Sequence, residues 1–461
     1  MTATLLGLPA AAAGTNYTPV EAGNASFKKY LVIEDTANVP DLTFKYEVTT
    51  PSVTPTPATG KLNLYAGITA VVTPDPSDTD AVAVTYPTID DVRFNEGYAT
   101  VTPAPQGYAK YEKTITVDFG DGAVKFSEPG VYRYYIQETK ESIAGLYYDV
   151  TETDLTTERD AIGRYRTLDV YVEDDTSDTT PTKKLKVVAY VMYEGMIDGT
   201  LAPSDLTGET GPQTPNGETG VISYPVNGTT VPGVDGKPKS DNYTNYYDTH
   251  SITFGKEVTG NQGSKDKYFK FTLSLSSPVA ITCDVNRDYA DTSLSDKGNS
   301  ATSYDLTDLT NPQSIEITTP TGTPVRYTAT ADFYLQDGQY IVVNGLPEGV
   351  TYELTEAAED YNSEAGIAAA NSSINWDNND ETGTNGYDAL ADATSDTTGI
   401  TADVHTGFTN SKNGIIPTGV LLKATPVIVI GLVILAGAAF FVVKNVRRKV
   451  VEAGEAEDSE E

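Results

Sequence analysis

Cysteine and histidine are scarce in this chain of 461 residues. A single cysteine, Cys283, excludes an intrachain disulfide and any cysteine-built zinc site. Two histidines, His250 and His405, leave little room for histidine-dependent catalysis or for most metal centres, so neither a metal nor a cofactor is expected. Basic residues are also few. The 31 Lys and Arg against 65 Asp and Glu give a formal net charge of −34, a field that repels phosphate backbones and excludes nucleic acid as a partner. Helical periodicity is missing as well, outside one apolar run near the C-terminus.

What is present favours strands and turns. There are 30 tyrosines, and Thr, Val, Asp and Gly are plentiful. Period-two alternation marks Leu42 to Val48, Val131 to Ile136, Leu168 to Val172, Phe269 to Leu273 and Tyr340 to Val343. Such runs, separated by turn residues, predict an all-β chain of antiparallel sandwiches. Its length allows about two to four domains at roughly 150 residues each.

Several segments stand apart from this pattern. Residues 1–13 are apolar and end in small residues, as the later part of a signal peptide does, although a positively charged opening is missing. Residues 196–240 are rich in Gly, Pro, Thr and Asp and read as a long surface loop inserted late in the first domain. Asp377 to Glu381 sits in a second polar stretch. It lacks the glycine spacing and terminal glutamate of a calcium loop and reads as a solvated loop. Residues 426–443 form an uncharged run of eighteen, long enough for a membrane helix. Lys444, Arg447, Arg448 and Lys449 follow and mark the cytoplasmic side, so residues 444–461 are a cytoplasmic tail and everything before the helix lies outside.

Three short signatures occur twice in the same order. Aromatic-x-Lys appears at Phe27 to Lys29 and Phe254 to Lys256. Tyr-x-apolar-x-Glu appears at Tyr134 to Glu138 and Tyr352 to Glu356, each after a Gly-Val pair, Gly130-Val131 and Gly349-Val350. Aromatic-Thr-Asn appears at Tyr243 to Asn245 and Phe408 to Asn410. The repeat divides the chain into domains 24–248 and 249–411. On a strand, residues i and i+2 share a face. Lys29, Glu138 and Asn245, and likewise Lys256, Glu356 and Asn410, therefore share faces with apolar partners and are expected to be buried together. Isolated buried charges cost several kcal/mol, so the three groups should meet. Two outcomes stand open. One is a buried Lys–Glu ion pair with an Asn hydrogen bond. The other is covalent: burial lowers the lysine pKa and raises that of the glutamate, and a neutral amine can attack the carboxamide carbon and expel ammonia.

The stretches FKKYL, EPGVYRYYIQE, NYTNYYDTHSITFGKEVTG, LQDGQYIVVNGLPEGVTYELTE and GFTNSKNGIIPTG resemble the major (shaft) pilins of Gram-positive bacteria, in the streptococcal pilin isopeptide-linkage family. The resemblance implies two tandem immunoglobulin-like sandwiches and self-formed bonds Lys29–Asn245 and Lys256–Asn410, promoted by Glu138 and Glu356. Lys28 is the alternative to Lys29. It also implies a structural subunit rather than an enzyme.

Ile415, Ile416, Pro417, Thr418 and Gly419 precede the apolar span and basic tail, and together these resemble a three-part sortase signal in its Ile/Val-Pro-Thr-Gly form. By that resemblance a pilin-type (class C) sortase cuts after Thr418. A lysine of an identical subunit, joined head to tail, then takes the acyl group. Lys237 or Lys239, six to eight residues before Asn245, is the expected acceptor. Tip and base pilins and peptidoglycan are the other implied partners. The implied location is secreted, in the cell wall or pilus, held by the C-terminal helix before sorting. The alternative is a wall-anchored adhesin or minor pilin that is not polymerised.

Overall fold

A computed structural model describes residues 2–6, 17–53, 63–73, 82–175, 183–199, 220–221, 239–240, 242–289, 312–368, 389–390 and 392–414. The sorting motif 415–419, the apolar run 426–443, the tail 444–461, Lys237, the Asp377 loop and most of 196–240 lie outside them. Every regular element among the described residues is a β-strand, and no helix there is long and apolar enough to cross a membrane. Within the expected leader, Thr2–Leu6 pairs antiparallel with Thr69–Thr73.

We label the longer strands β1 (Ala25–Glu34), β2 (Tyr46–Thr49), β3 (Tyr108–Asp118), β4 (Gly130–Glu138), β5 (Tyr165–Asp174), β6 (Lys183–Glu194), β7 (Asn242–Tyr247), β8 (Thr249–Thr259), β9 (Phe269–Ser277), β10 (Ile281–Tyr289), β11 (Arg326–Leu335), β12 (Gln339–Pro347), β13 (Thr351–Ala357), β14 (Asn362–Ala365) and β15 (Val404–Ser411). One sheet carries β3-β1-β7 at its centre and another carries β6-β5-β4-β2. Phe27, Leu31 and Ile33 of β1 pack with Tyr134 and Ile136 of β4 and Leu168 of β5 in one apolar cluster between them. After Asp248 the pattern recurs, with β10-β12-β8-β15-β14 in one sheet and β11-β9-β13 in another. Their core holds Phe254, Phe271, Leu273, Phe333 and Leu354. Among the described residues no strand pair crosses Asp248.

Alternation decides which face goes inward. In β9, Phe269, Phe271, Leu273 and Leu275 are buried, while Lys270 points outward. β4 departs from this because both of its faces are covered. Val131 packs with Tyr171, Tyr193 and Ile197 in a second cluster behind the sheet. There the Tyr135 hydroxyl donates to the Ile197 carbonyl at 2.5 Å and Arg133 to the Asp198 carbonyl at 2.9 Å. The first residues of the expected surface loop 196–240 are thus packed against the sheet; Ile197 is fully buried. Composition hides this, because one well-placed isoleucine and main-chain carbonyls do the packing.

The glycines that open both glutamate strands have a backbone reason. Gly130 has φ +152° and Gly349 has φ +81°. A Cβ on Gly130 would stand 2.6 Å from the Asn63 carbonyl oxygen, so only glycine lets that chain pass beside the strand start.

Candidate functional site

β1 and β7 run parallel, with Lys29 opposite Tyr243 and Leu31 opposite Asn245. β8 and β15 run parallel, with Lys256 opposite Phe408 and Val258 opposite Asn410. In both, the lysine pairs with the residue two before the asparagine, so both side chains emerge on one face of adjacent strands. The glutamates come from the facing sheets, Glu138 at the end of β4 and Glu356 in β13. The same triangle is therefore built twice.

In the first triangle Lys29 Nζ lies 2.6 Å from Glu138 Oε1, and both side chains are 0% exposed. Asn245 Nδ2 and the Tyr46 hydroxyl donate to the same oxygen, each at 3.2 Å. Oε2 is buried with no hydrogen-bond partner among the described residues. Asn245 Oδ1 accepts the Asp149 main-chain N–H at 2.9 Å. An N–H can only donate, which fixes the amide orientation: its oxygen faces Asp149 and its nitrogen faces the carboxylate. Asp149 holds φ +48°, and Arg166 grips its carboxylate with two bonds of 2.6 and 2.9 Å. The ring of Phe44 lies 4.5 Å from the lysine nitrogen.

In the second triangle Lys256 Nζ lies 2.7 Å from Glu356 Oε1, which also accepts from Asn410 Nδ2 at 3.1 Å. The Ser363 hydroxyl donates to Oε2 at 2.6 Å. Lys256 Nζ also reaches the Phe408 carbonyl at 3.3 Å and stands 4.6 Å from the Phe269 ring centre. Here the asparagine oxygen is buried with no hydrogen-bond partner among the described residues.

Burial dominates the charges. It pushes each lysine down from 10.5 to about 8 against the pull of its glutamate. It pushes the Glu138 carboxyl up, against Lys29. In the first triangle both shifts favour passage of a proton from ammonium to carboxylate, which leaves a neutral amine beside the carboxamide; in the second the lowered lysine favours it.

Lys28, the alternative donor, points outward and pairs with Glu112 at 2.9 Å, with 42% of its side chain exposed. Lys239 is half-buried and its backbone bridges Tyr193. Sequence reasoning missed Tyr46, Asp149, Arg166 and Ser363. Of these only Tyr46 carried a signal, since it lies in the alternating Leu42 to Val48 run.

The lowered lysine pKa has a stability consequence. Asn410→Ala keeps Lys256 as an amine. The folded chain then holds fewer protons than the unfolded chain between about 8 and 10.5. The penalty is full below that window, and stability rises with pH through it. Relative to the amine-free Lys256→Met/Asn410→Ala protein, the urea midpoint of Asn410→Ala is expected to climb between about pH 7 and about pH 10. Parallel pH profiles of the two proteins would contradict a depressed Lys256.

A family model described as a domain of unknown function, DUF7601, matches residues 250–412, which is the β8–β15 half. A pilin of Streptococcus pyogenes serotype M1 is 27% identical over 341 residues, covering 72% of this chain and 72% of that protein. The crystal structure of the major pilin from Streptococcus pyogenes is 19% identical with a TM-score of 0.42, covering 86% of this chain and all of that one. A pilus-presented adhesin is 14% identical with a TM-score of 0.23, covering 84% and 99%.

Proposed function

This chain is a relative of the streptococcal pilins, and we propose that it is the repeating subunit of a sortase-assembled pilus shaft, made of two immunoglobulin-like domains, 24–248 and 249–411, each locked by a Lys–Asn isopeptide bond. It is a structural subunit, not an enzyme. The observation that carries the reading is the recurrence of one buried Lys–Glu–Asn triangle at one strand register.

The reaction balances within each triangle. Glu138 takes a proton from the Lys29 ammonium. The neutral Nζ attacks Asn245 Cγ, and the oxygen charge that develops is met by the Asp149 N–H. The glutamic acid protonates Nδ2 and takes a proton from the attacking nitrogen. The Cγ–Nδ2 bond then breaks, ammonia leaves, and an Nζ–Cγ amide remains. Glu356 acts likewise between Lys256 and Asn410. Each event happens once per chain. Desolvation is what makes it feasible, because an exposed lysine near pH 7 is almost wholly protonated.

Assembly uses the C-terminal signal. A pilin-type sortase cleaves after Thr418, and Lys237 or Lys239 of the next subunit accepts the acyl group. Donor and acceptor are different parts of the chain, so the contact is heterologous and yields open filaments. Tip and base pilins and peptidoglycan complete the structure, and the apolar run 426–443 holds each subunit in the membrane until it is sorted.

Wall extracts are expected to show covalent ladders of multimers. Deleting Ile415–Gly419 should abolish them. Replacing both Lys237 and Lys239 by arginine keeps the charge, removes a usable amine and should leave single subunits. Wild-type chains found only as wall-linked monomers would replace the shaft reading with that of an adhesin or minor pilin. Normal ladders from the double variant would move the acceptor to another lysine.

A further inference from the structure

A separate constellation lies where the two sets of sheets join. We propose that Asp248, His250 and Glu348 form a divalent-cation site of zinc type that clamps the joint between the two halves of the chain. Each residue offers one ligand atom, and the three atoms lie within 4.8 Å of one another. Strand geometry explains why they converge. Asp248 and His250 are two apart on an extended segment and share a face. Thr249 pairs with Pro347 at the end of the antiparallel β8–β12 ladder, and Asp248 and Glu348 are the residues next beyond that pair.

Two carboxylates this close repel, and a cation between them would relieve that repulsion. Among the described residues neither is in an ion pair with lysine or arginine; Asp248 accepts only from the Tyr246 hydroxyl, at 2.9 Å. His250 Nε2 is buried and has no hydrogen-bond partner among the described residues. The imidazole of the cluster thus keeps one nitrogen without a protein partner among the described residues. Two more acidic side chains approach the same corner: Glu34 accepts from the Thr249 hydroxyl at 3.2 Å and Asp403 accepts the Ser251 main-chain N–H at 2.7 Å.

One imidazole nitrogen and two carboxylate oxygens, with no thiolate near, suit zinc with water in the fourth position. Three atoms spaced at up to 4.8 Å leave a central cation about 2.8 Å from each, so movements under about 1 Å bring them to zinc–ligand distances of about 2.0–2.2 Å. The site bridges the joint. Asp248 closes the first half, and its N–H donates to the Gly145 carbonyl at 2.8 Å. His250 opens the second half. Glu348 packs against Gly145, where an added Cβ would meet its Cβ at 2.8 Å. A bound cation would cancel the repulsion and fix this corner, independently of any lysine–asparagine bond.

The test uses the full-length chain, stripped with a chelator and dialysed against Zn²⁺ alone, with elemental analysis of the retained metal. One zinc per chain is expected, with a rise in thermal midpoint on zinc addition. His250→Gln and Glu348→Gln should each weaken binding by about tenfold or more and abolish that rise, while His405→Ala leaves both unchanged. If His250→Gln fails to fold, Glu348→Gln, in a turn, carries the comparison. No retained zinc, wild-type zinc affinity in both glutamine variants, or equal loss in His405→Ala overturns the site. So does a preference for Ca²⁺ that His250→Gln leaves untouched.

Discussion

The intact wild-type chain is expected to weigh two ammonia equivalents less than its translated sequence. Each lysine nitrogen already touches the glutamate that can deprotonate it, and each asparagine nitrogen, the leaving group, points at that same oxygen. An ion pair of this kind held permanently would be costly, since desolving two charges outweighs much of their attraction. Conversion to a neutral amide removes both charges from the interior. Glu138→Ala should restore one equivalent and Glu356→Ala the other, because the two triangles belong to separate sheets. Lys28→Ala should restore none, since that side chain is turned to solvent. Intact mass spectrometry of the folded protein decides it. An unmodified mass would reduce both triangles to buried ion pairs with an asparagine hydrogen bond.

The two triangles should also differ in rate. Asn245 has its oxygen polarised by a main-chain N–H that the Asp149–Arg166 pair holds in a left-handed turn, whereas the oxygen of Asn410 has no hydrogen-bond partner among the described residues. A hydrogen bond aimed at a developing oxyanion lowers the barrier. The repeat that exposed the sites in sequence thus concealed a difference between them.

That contrast shows what was legible in the chain. The lysines, glutamates and asparagines could be found because strand parity is local: a polar residue two positions from Phe27, Ile136 or Tyr243 must share its face. Repetition then separated them from the other charged residues. The strands around Tyr134, Leu168, Phe271 and Ile341 were legible for the same reason. The supporting groups were not. Asp149 and Ser363 reach the triangles from turns and a short strand whose placement depends on long-range packing. Nothing in Tyr148-Asp149-Val150 marks the positive φ. The tight joint was equally invisible: the Asp41 N–H donates to the Ala280 carbonyl at 2.9 Å and Asn38 to the Thr282 carbonyl at 3.0 Å, pairings between residues more than two hundred apart in sequence. The cover on the outer face of β4 rests on Ile197, one apolar residue in a stretch whose composition reads as solvent-exposed.

Asn410→Ala is expected to cost the second half of the chain about 5 kcal/mol of stability. A bond from Lys256 to Asn410 closes a loop of roughly 150 residues, and by the loop-entropy model such a crosslink is worth about 5 kcal/mol through the unfolded chain alone. The same model gives a similar figure for Lys29 to Asn245, because the cost grows only logarithmically with loop length. The variant loses more than entropy. Its lysine stays charged or is forced neutral in a site where burial already presses its pKa to about 8, and Glu356 loses the asparagine donor. Such a deficit is a large share of what holds a domain of this size folded. The melting transition of residues 249–411 should fall by many degrees and protease should open that half first, while the first half keeps its own crosslink. Force would show the same asymmetry. β8 and β15 are hydrogen-bonded neighbours and terminal strands of this half, so a covalent tie between them carries tension past the ladder instead of through it. In the variant, tension must run through the ladder, which can unzip. Stretching single chains should therefore extend Asn410→Ala by the length of one unfolded half and leave wild type short. Equal melting, digestion and extension in the two proteins would mean that no bond joins Lys256 to Asn410.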